Sequence, residues 1–351
     1  MEVIDDAVAR YLREYDRYHK MAEVTATIVR QILDDHALRG TVQWRAKNPE
    51  RLKKKLIKYM DNNEHGIELS SVDGVFGKIK DFSGVRVLTY VESDRVKVVD
   101  KILEYFRGVG SETVVPDIKA HGFYRATHCQ VRLTDQYCVD TNFNLRDVSC
   151  EIQVCSLLAH VFNEVEHDIR YKPLSGEISP AENSLLDAMG HLAESGDIII
   201  NQLLDMTSAR QSKEDGKFAD EYDFVVKMNS IFPSASNFSE YSGQVYSICV
   251  NDLNLNTLSK VKQAINYNEQ SSYSEALDLV ARVGGKLTEQ DISTKVNGST
   301  SDILLVLLLK NSEFCELLKR KYPSGRGISR AKRFMVIAKR VEEVLLPDNI
   351  L

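Results

Sequence analysis

The spacing of apolar residues changes along this chain, and the change limits what it can fold into. From Ile4 to Leu38 they recur every three or four positions, as in Val8, Tyr11, Leu12 and Tyr15, then Met21, Val24, Ile28 and Ile32. This predicts two opening helices or one bent one. Leu56, Ile57 and Met60 predict another helix behind a cationic segment, ending near Asp61, Asn62 and Asn63. The period then becomes that of strands. Val85–Val91, Cys129–Leu133 and Ser149–Val154 are short β-rich runs, and an amphipathic helical stretch from Arg95 to Phe106 lies between the first two. Ser156 to Tyr171 returns to helical spacing through Leu157, Leu158, Val161, Phe162, Val165 and Ile169. Strands interleaved with helices and framed by helices predict an α+β domain, a mixed β-sheet flanked by helices, over residues 1–205.

The polar run from Thr207 to Gly216 predicts a linker over residues 206–217. Helical patterns follow at Phe218–Phe232, Leu255–Tyr267, Tyr273–Val283, Ile303–Lys321 and Ile328–Leu346, predicting a mostly helical second domain over 218–351. The 351 residues, 43% hydrophobic, suffice for a substantial core. A formal charge of −6 argues against a generic nucleic-acid coat or a basic membrane-surface protein, so any positive site must be local. The charged start, with no apolar core before a small-residue cleavage site, predicts no secretory signal and a cytoplasmic protein. The apolar run Ile303 to Leu309 is too short to cross a bilayer and predicts a buried helix or strand. The six cysteines (129, 138, 150, 155, 249 and 315) form no CxxC pair and no zinc spacing, so reduced thiols are expected.

Four clusters hold residues suited to chemistry, and each has an ordinary reading beside it. Trp44 to Lys55 carries six basic residues in twelve positions; such a run is ordinarily a solvated helix face, but Arg and Lys at helical offsets also cage a triphosphate. Asp81, Gly84 and Arg86 stand at the mouth of the first strand. An acid there is commonly a turn residue; alternatively it is a Mg²⁺ ligand beside substrate phosphates. His121 to His128 is a glycine-containing loop running into a strand, where Tyr124 either packs or stacks on a base. Glu151 and Gln153 share one strand face, opposite Ile152 and Val154, and Glu164, His167 and Tyr171 share a face of the next helix.

Taken in order, the clusters resemble the synthetase domain of the RelA/SpoT family of alarmone synthetases. Arg45, Lys47 and Lys55 match its R-x-K with a further lysine; Asp81, Gly84 and Arg86 match D-x-x-G-x-R; and Tyr124, Arg125 and His128 match Y-R-x-x-H. Glu151 to Val154 match E-I-Q-V, followed by Glu164, Glu166, His167, Tyr171 and Lys172 on the helix. The resemblance implies a nucleotidyltransferase-like fold and transfer of the β,γ-pyrophosphate of ATP to a ribose 3′-hydroxyl of GDP or GTP. It implies that Arg45 and Arg86 sandwich adenine, that Lys47 and Lys55 hold ATP phosphates, and that Asp81 binds Mg²⁺. Glu151 joins Asp81 at the metal or draws the proton from the attacking hydroxyl. Tyr124 stacks on the acceptor base, with Arg125, His128, Gln153, Glu164 and His167 on the acceptor side.

The chain departs from the pattern at Cys155, where family members often have arginine, and at Phe123, inserted between Gly122 and Tyr124. Too few residues precede Arg45 for the family's hydrolase domain, so a synthetase-only protein is expected, and His167-Asp168 does not signal hydrolysis. The rival within the fold is a toxic small synthetase that pyrophosphorylates the tRNA 3′ end or makes an adenosine alarmone, with the C-terminal domain as fused neutralising or phage-sensing module. A non-catalytic nucleotide sensor is the rival outside it. A basic stretch (Lys319, Arg320, Lys321, Arg326, Arg330, Lys332 and Arg333) is a solvated helix face or a contact for RNA or a protein partner.

Overall fold

A computed structural model gives the structure of residues 2–61, 70–170, 178–211, 216–235, 237–290, 292, 294–321 and 330–345. The chain divides into two units, Met1–Leu33 with Arg39–Asn201, and Asp34–Leu38 with Gln202–Leu351.

The first unit opens with α1 (Glu2–Arg13) and α2 (Tyr15–Asp35), as the apolar spacing predicts. Next come β1 (Gly40–Ala46), α3 (Pro49–Asp61), α4 (Val72–Lys78), β2 (Ser83–Thr89), α5 (Glu92–Tyr105) and the short β3 (Arg107–Gly108). A hairpin of β4 (Pro116–His121) and β5 (Tyr124–Arg132) leads to β6 (Cys150–Ser156), α6 (Leu157–Arg170) and the long α7 (Pro180–Gln211), whose residues from Gln202 onward belong to the second unit. The sheet runs β1-β2-β6-β5-β3, with β4 also on β5. Only β2 and β6 pair in parallel, the other pairings being antiparallel, so the sheet is mixed and the fold α+β.

Strand alternation gives this sheet two unlike faces. One buries Val85, Val87, Ile152, Val154 and Cys129 beside α5, whose Arg95 donates to Thr127 Oγ1. The other is half covered: Leu88, Ala126 and Cys155 pack with Ala159 of α6. Arg86, His128, Glu151 and Gln153 lie on the same face, toward the start of the parallel pair, and are only partly buried.

Three sequence expectations are corrected here. Trp44 to Ala46 lies in a strand, so Arg45 and Lys47 do not share helical offsets with Lys55, which is in α3. The physical reason is the alternation of Val42, Trp44 and Ala46 against exposed Thr41, Gln43 and Arg45 on an edge strand. The loop before the third cluster is only Gly122-Phe123, a two-residue hairpin turn with Gly122 at φ +57°, so Tyr124, Arg125 and His128 are strand residues. Residues 206–211 continue α7 rather than forming a linker; their polarity reports exposure, and no glycine or proline interrupts them before Gly216. The start of α7 is a capping box: Glu182 N donates to Ser179 Oγ, and Ser179 N donates to Glu182 Oε2 at 2.7 Å, with Pro180 in the first turn.

The second unit is helical: α8 (Glu221–Ile231), α9 (Ser242–Ser247) running into a π turn (Ile248–Asp252), α10 (Leu258–Ala264), α11 (Ser272–Glu289), α12 (Asp302–Leu309), α13 (Ser312–Lys321) and α14 (Arg330–Leu345). All eight residues of α12 are buried, which accounts for its unbroken apolar run. The helical pattern expected from Ile303 to Lys321 is two helices, because Asn311 accepts from the backbone N–H of Glu313 at 2.9 Å and restarts the chain as α13. Segment Asp34–Leu38 belongs to this unit: Tyr241 N donates to His36 Nδ1 (3.1 Å), the two rings lie 4.5 Å apart, and Arg333 stacks 3.6 Å above Tyr241. Gly243 packs directly on Asp34, where a Cβ would fall 1.8 Å from the carbonyl oxygen. Among the described residues no helix is long and apolar enough to cross a membrane, and the cysteines are free and buried.

Candidate active site

The part of the sheet face that α6 leaves open is a pocket lined by Gln43, Trp44, Arg45, Lys47, Asn48, Arg51, Asp81, Gly84, Val85, Arg86, Glu151 and Gln153. The end of β1 is pinned against the start of β2. Lys47 N donates to Phe82 O (2.9 Å), and the buried Tyr11 hydroxyl donates to Lys47 O (2.7 Å) while its ring stacks on Phe82 at 5.0 Å. These bonds set Lys47 beside Asp81. Its ammonium lies 2.5 Å from Asp81 Oδ2, and Lys55 reaches Oδ1 from α3 at 3.4 Å.

One carboxylate thus serves two ammonium groups, and the titration of all three reflects it. Burial pushes Asp81 upward, but Lys47 and Lys55 together hold it below the usual carboxylate range. Burial pushes Lys47 down and, with the positive charges of Lys55 and Arg45, outweighs Asp81. Lys55 is also pressed down by burial, yet Asp81 and Tyr59 carry it above the ordinary lysine value.

Glu151 sits in a second network. Gln153 Nε2 donates to Oε2 at 2.8 Å, His128 Nδ1 lies 3.2 Å from Oε1, and Tyr124 Oη lies 3.3 Å from His128 Nε2. A neutral imidazole with its proton on Nδ1 satisfies both ring contacts, donating to Glu151 and accepting from Tyr124. Burial raises Glu151, but His128 and Gln153 outweigh it and leave the group below its ordinary value; the charge of Asp81 opposes them. Burial pushes the Tyr124 hydroxyl up to about 12, so it remains a donor.

The remaining candidates divide. Arg45 is exposed on β1 at the pocket. Arg86 Nη2 donates to Glu164 Oε1 at 2.8 Å, which ties an acceptor-side candidate to one assigned to adenine. Arg125 pairs with Glu194 of α7. His167 is exposed, its Nδ1 3.4 Å from Asp168. Tyr171 and Lys172 lie outside the described residues, as does Arg326 of the C-terminal basic stretch. Cys155 is buried under α6, so the position where family members often have arginine is an apolar contact here.

Gln43 and Asn48 carry no role in the sequence pattern, and Arg51 enters it only as one of the six basic residues between Trp44 and Lys55. Gln43 alternates with Arg45 on β1 and pairs in register with Arg86, while Asn48 caps α3 through the backbone N–H groups of Glu50 and Arg51. The alternation Val42, Trp44, Ala46 was the available signal. Among the described residues no three His, Cys, Asp or Glu side chains cluster as metal ligands. Asp81 and Glu151 on one pocket suit an ion that takes one or two carboxylates and completes its shell with substrate phosphates, which is the habit of Mg²⁺.

Residues 44–175 match the family model described as the region found in RelA / SpoT proteins. The matched stretch contains all four of the sequence clusters singled out for chemistry. Solved structures similar to the chain include a GTP pyrophosphokinase family protein from Streptococcus pneumoniae, at 21% identity and TM-score 0.46, covering 59% of this chain and 98% of that one. The small alarmone synthetase 1 from Bacillus subtilis is 20% identical, at TM-score 0.43, with 57% and 97% covered. Its complex with its product pppGpp gives 20%, 0.41, 57% and 97%. No curated protein sequence matches the chain.

Proposed function

We propose that the first unit is an ATP-dependent pyrophosphokinase that transfers the β,γ-pyrophosphate of ATP to the 3′-hydroxyl of GDP or GTP, releasing AMP. One observation carries the reading: within the RelA/SpoT region, a pocket with four cationic side chains (Arg45, Lys47, Arg51 and Arg86) also holds two carboxylates, Asp81 and Glu151. The cations fit a triphosphate and the flat face of a base. The carboxylates fit the metal and the proton that such a transfer involves.

In the transfer the 3′-oxygen bonds to the β-phosphorus of ATP, the bridging bond between the α- and β-phosphates breaks, and AMP leaves with the bridging oxygen. The hydroxyl proton passes to the Glu151 carboxylate, which His128 and Gln153 hold below its ordinary value. His128 and Gln153 hold that carboxylate in place from two sides. Lys47 and Lys55 exchange Asp81 for the phosphates of ATP, and Arg45 and Arg86 flank the adenine. Asp81, with Glu151 alongside, would hold Mg²⁺, which would supply charge neutralisation for the polyphosphate. There is little covalent work for the protein, so positioning and electrostatics carry the rate.

The test is chromatographic identification of the product from labelled ATP, offered GDP, GTP, ATP and deacylated tRNA in parallel. Label in a guanosine 3′-pyrophosphate is the expected result. Label appearing only in tRNA or an adenosine product would overturn the choice of acceptor, and no transfer to any of the four would overturn the enzymatic reading.

A further inference from the structure

The β4–β5 hairpin overhangs the sheet at the end that carries Tyr124. Among the described residues β6 pairs with β5 only over Thr127–Val131, so Tyr124, Arg125 and Ala126 have β4 as their strand neighbour, and β4 is itself an edge. The overhang is braced on α7 instead, through Phe123, the residue inserted into the sequence pattern. The Phe123 ring lies edge-on to His191 of α7 (4.5 Å between centroids, planes at 72°) and to Phe162 of α6 (5.9 Å, 76°). It fills a notch at Gly190, where a Cβ would fall 2.2 Å from Cγ and 2.7 Å from Cβ of Phe123. One turn further along α7, Glu194 pairs with Arg125, and Asn163 Nδ2 donates to Arg125 O at 3.2 Å. Both sequence neighbours of Tyr124 are thus fastened to α7, by residues that all belong to the first unit.

We infer that Phe123 in the Gly190 notch is the joint that positions the acceptor side of the pocket, an inference that rests on the pyrophosphokinase reading above. Phe123 and Gly190 are positioning residues that act through Tyr124. Tyr124 Oη lies 3.3 Å from His128 Nε2, and His128 Nδ1 lies 3.2 Å from Glu151 Oε1, so a shift of the overhang passes to the carboxylate that takes the proton. Any side chain at position 190 collides with the Cβ of Phe123 as well as with its ring. Rotation about χ1 leaves that Cβ where it is, so the hairpin backbone must move. The residues assigned to ATP and its metal, Arg45, Lys47, Lys55 and Asp81, stand on and around β1 and the start of β2, at the other end of the strand order. Disturbing the joint therefore falls on the acceptor and spares ATP. The extra residue ahead of Tyr124 is matched by a glycine that admits it.

Steady-state kinetics of the full-length chain test the joint, with ATP and the acceptor varied in turn; the acceptor is GDP, or whichever of the four takes the label. Gly190→Ala should lower kcat/KM for the acceptor by about 10²-fold, the cost of misplacement by about an ångström, and leave KM for ATP unchanged. Alanine is the better helix former, so α7 loses no helical preference by the change. Phe123→Ala should lower the same constant, and the double variant should be no worse than Phe123→Ala alone, because the added methyl group then enters vacated space. Additive losses in the double variant overturn the joint, as do equal losses for ATP and acceptor or a wild-type acceptor constant in Gly190→Ala. Amide hydrogen exchange gives a readout that needs no activity: exchange at residues 122–128 should rise about tenfold in Phe123→Ala while α5 keeps its wild-type exchange. Unchanged exchange there overturns the joint in an active or an inactive chain. A wild-type chain that transfers to none of the acceptors overturns the enzymatic reading and with it the acceptor role, whatever the exchange shows.

Discussion

The two units of this chain bury charge on opposite terms. In the second unit two buried acids each have their own base: Asp302, fully buried, accepts from Arg333 at 2.8 and 2.7 Å, and Asp223 lies 2.9 Å from Lys227 with both side chains nearly inaccessible. In the first unit two lysines share Asp81, and the surrounding pocket has four cationic side chains to two carboxylates. A matched buried pair is electrically complete and serves structure. An unmatched cluster open to solvent keeps an attraction for a polyanion. The whole chain is acidic, at −6, so the local excess of positive charge does not follow from composition.

The largest effect that sharpens this contrast is catalytic. Glu151→Gln or Asp81→Ala should lower turnover by about 10²–10⁴-fold, with melting nearly unchanged; steady-state kinetics beside a thermal melt measure both, and wild-type rates in either variant would break it. On the other side, Asp302→Ala leaves Arg333 without the partner of its two bonds and should cost about 3–5 kcal/mol in urea unfolding. An unfolding curve that does not move would mean that the matched pair is not structural.

A smaller effect concerns the pocket floor. A Cβ at Gly84 would meet only Arg45 O at 3.9 Å, so the fold tolerates a side chain there but the pocket does not. Gly84→Val should raise KM for ATP roughly tenfold, the size of one displaced contact, at unchanged stability. The smallest effect is on the alkaline limb. Lys47 has its pKa lowered and Lys55 has it raised, so rising pH discharges Lys47 first. Affinity for ATP should therefore weaken below the ordinary lysine range, and Lys47→Arg, whose guanidinium stays charged, should move that loss upward; an unmoved profile assigns the limb to another group.

Much of this was legible in the sequence because function and fold share residues there. The runs that form β2 and β6 are apolar on one face, and their polar members, Arg86, Glu151 and Gln153, emerge on the other as alternation requires. What escaped lies at edges. β1 alternates weakly and its charges imitate a helix face, while β4 leaves Ile118 largely exposed and so lacks a buried stripe. Tyr124, Arg125 and His128 have polar neighbours on both strand faces, which removes the period that marks a strand. The relay of Tyr124, His128 and Glu151 joins two strands, and the link between His36 and Tyr241 spans most of the chain; no local pattern encodes either.

The fit of Gly243 on Asp34 bears on how such a gene can be rearranged. A five-residue stretch encoded ahead of β1 is seated in a socket encoded far downstream, where even a methyl group at position 243 would collide with it. Exchange of the 3′ half by recombination must therefore deliver a matching socket or leave that stretch unseated, so the two halves are expected to be inherited together rather than shuffled as independent modules.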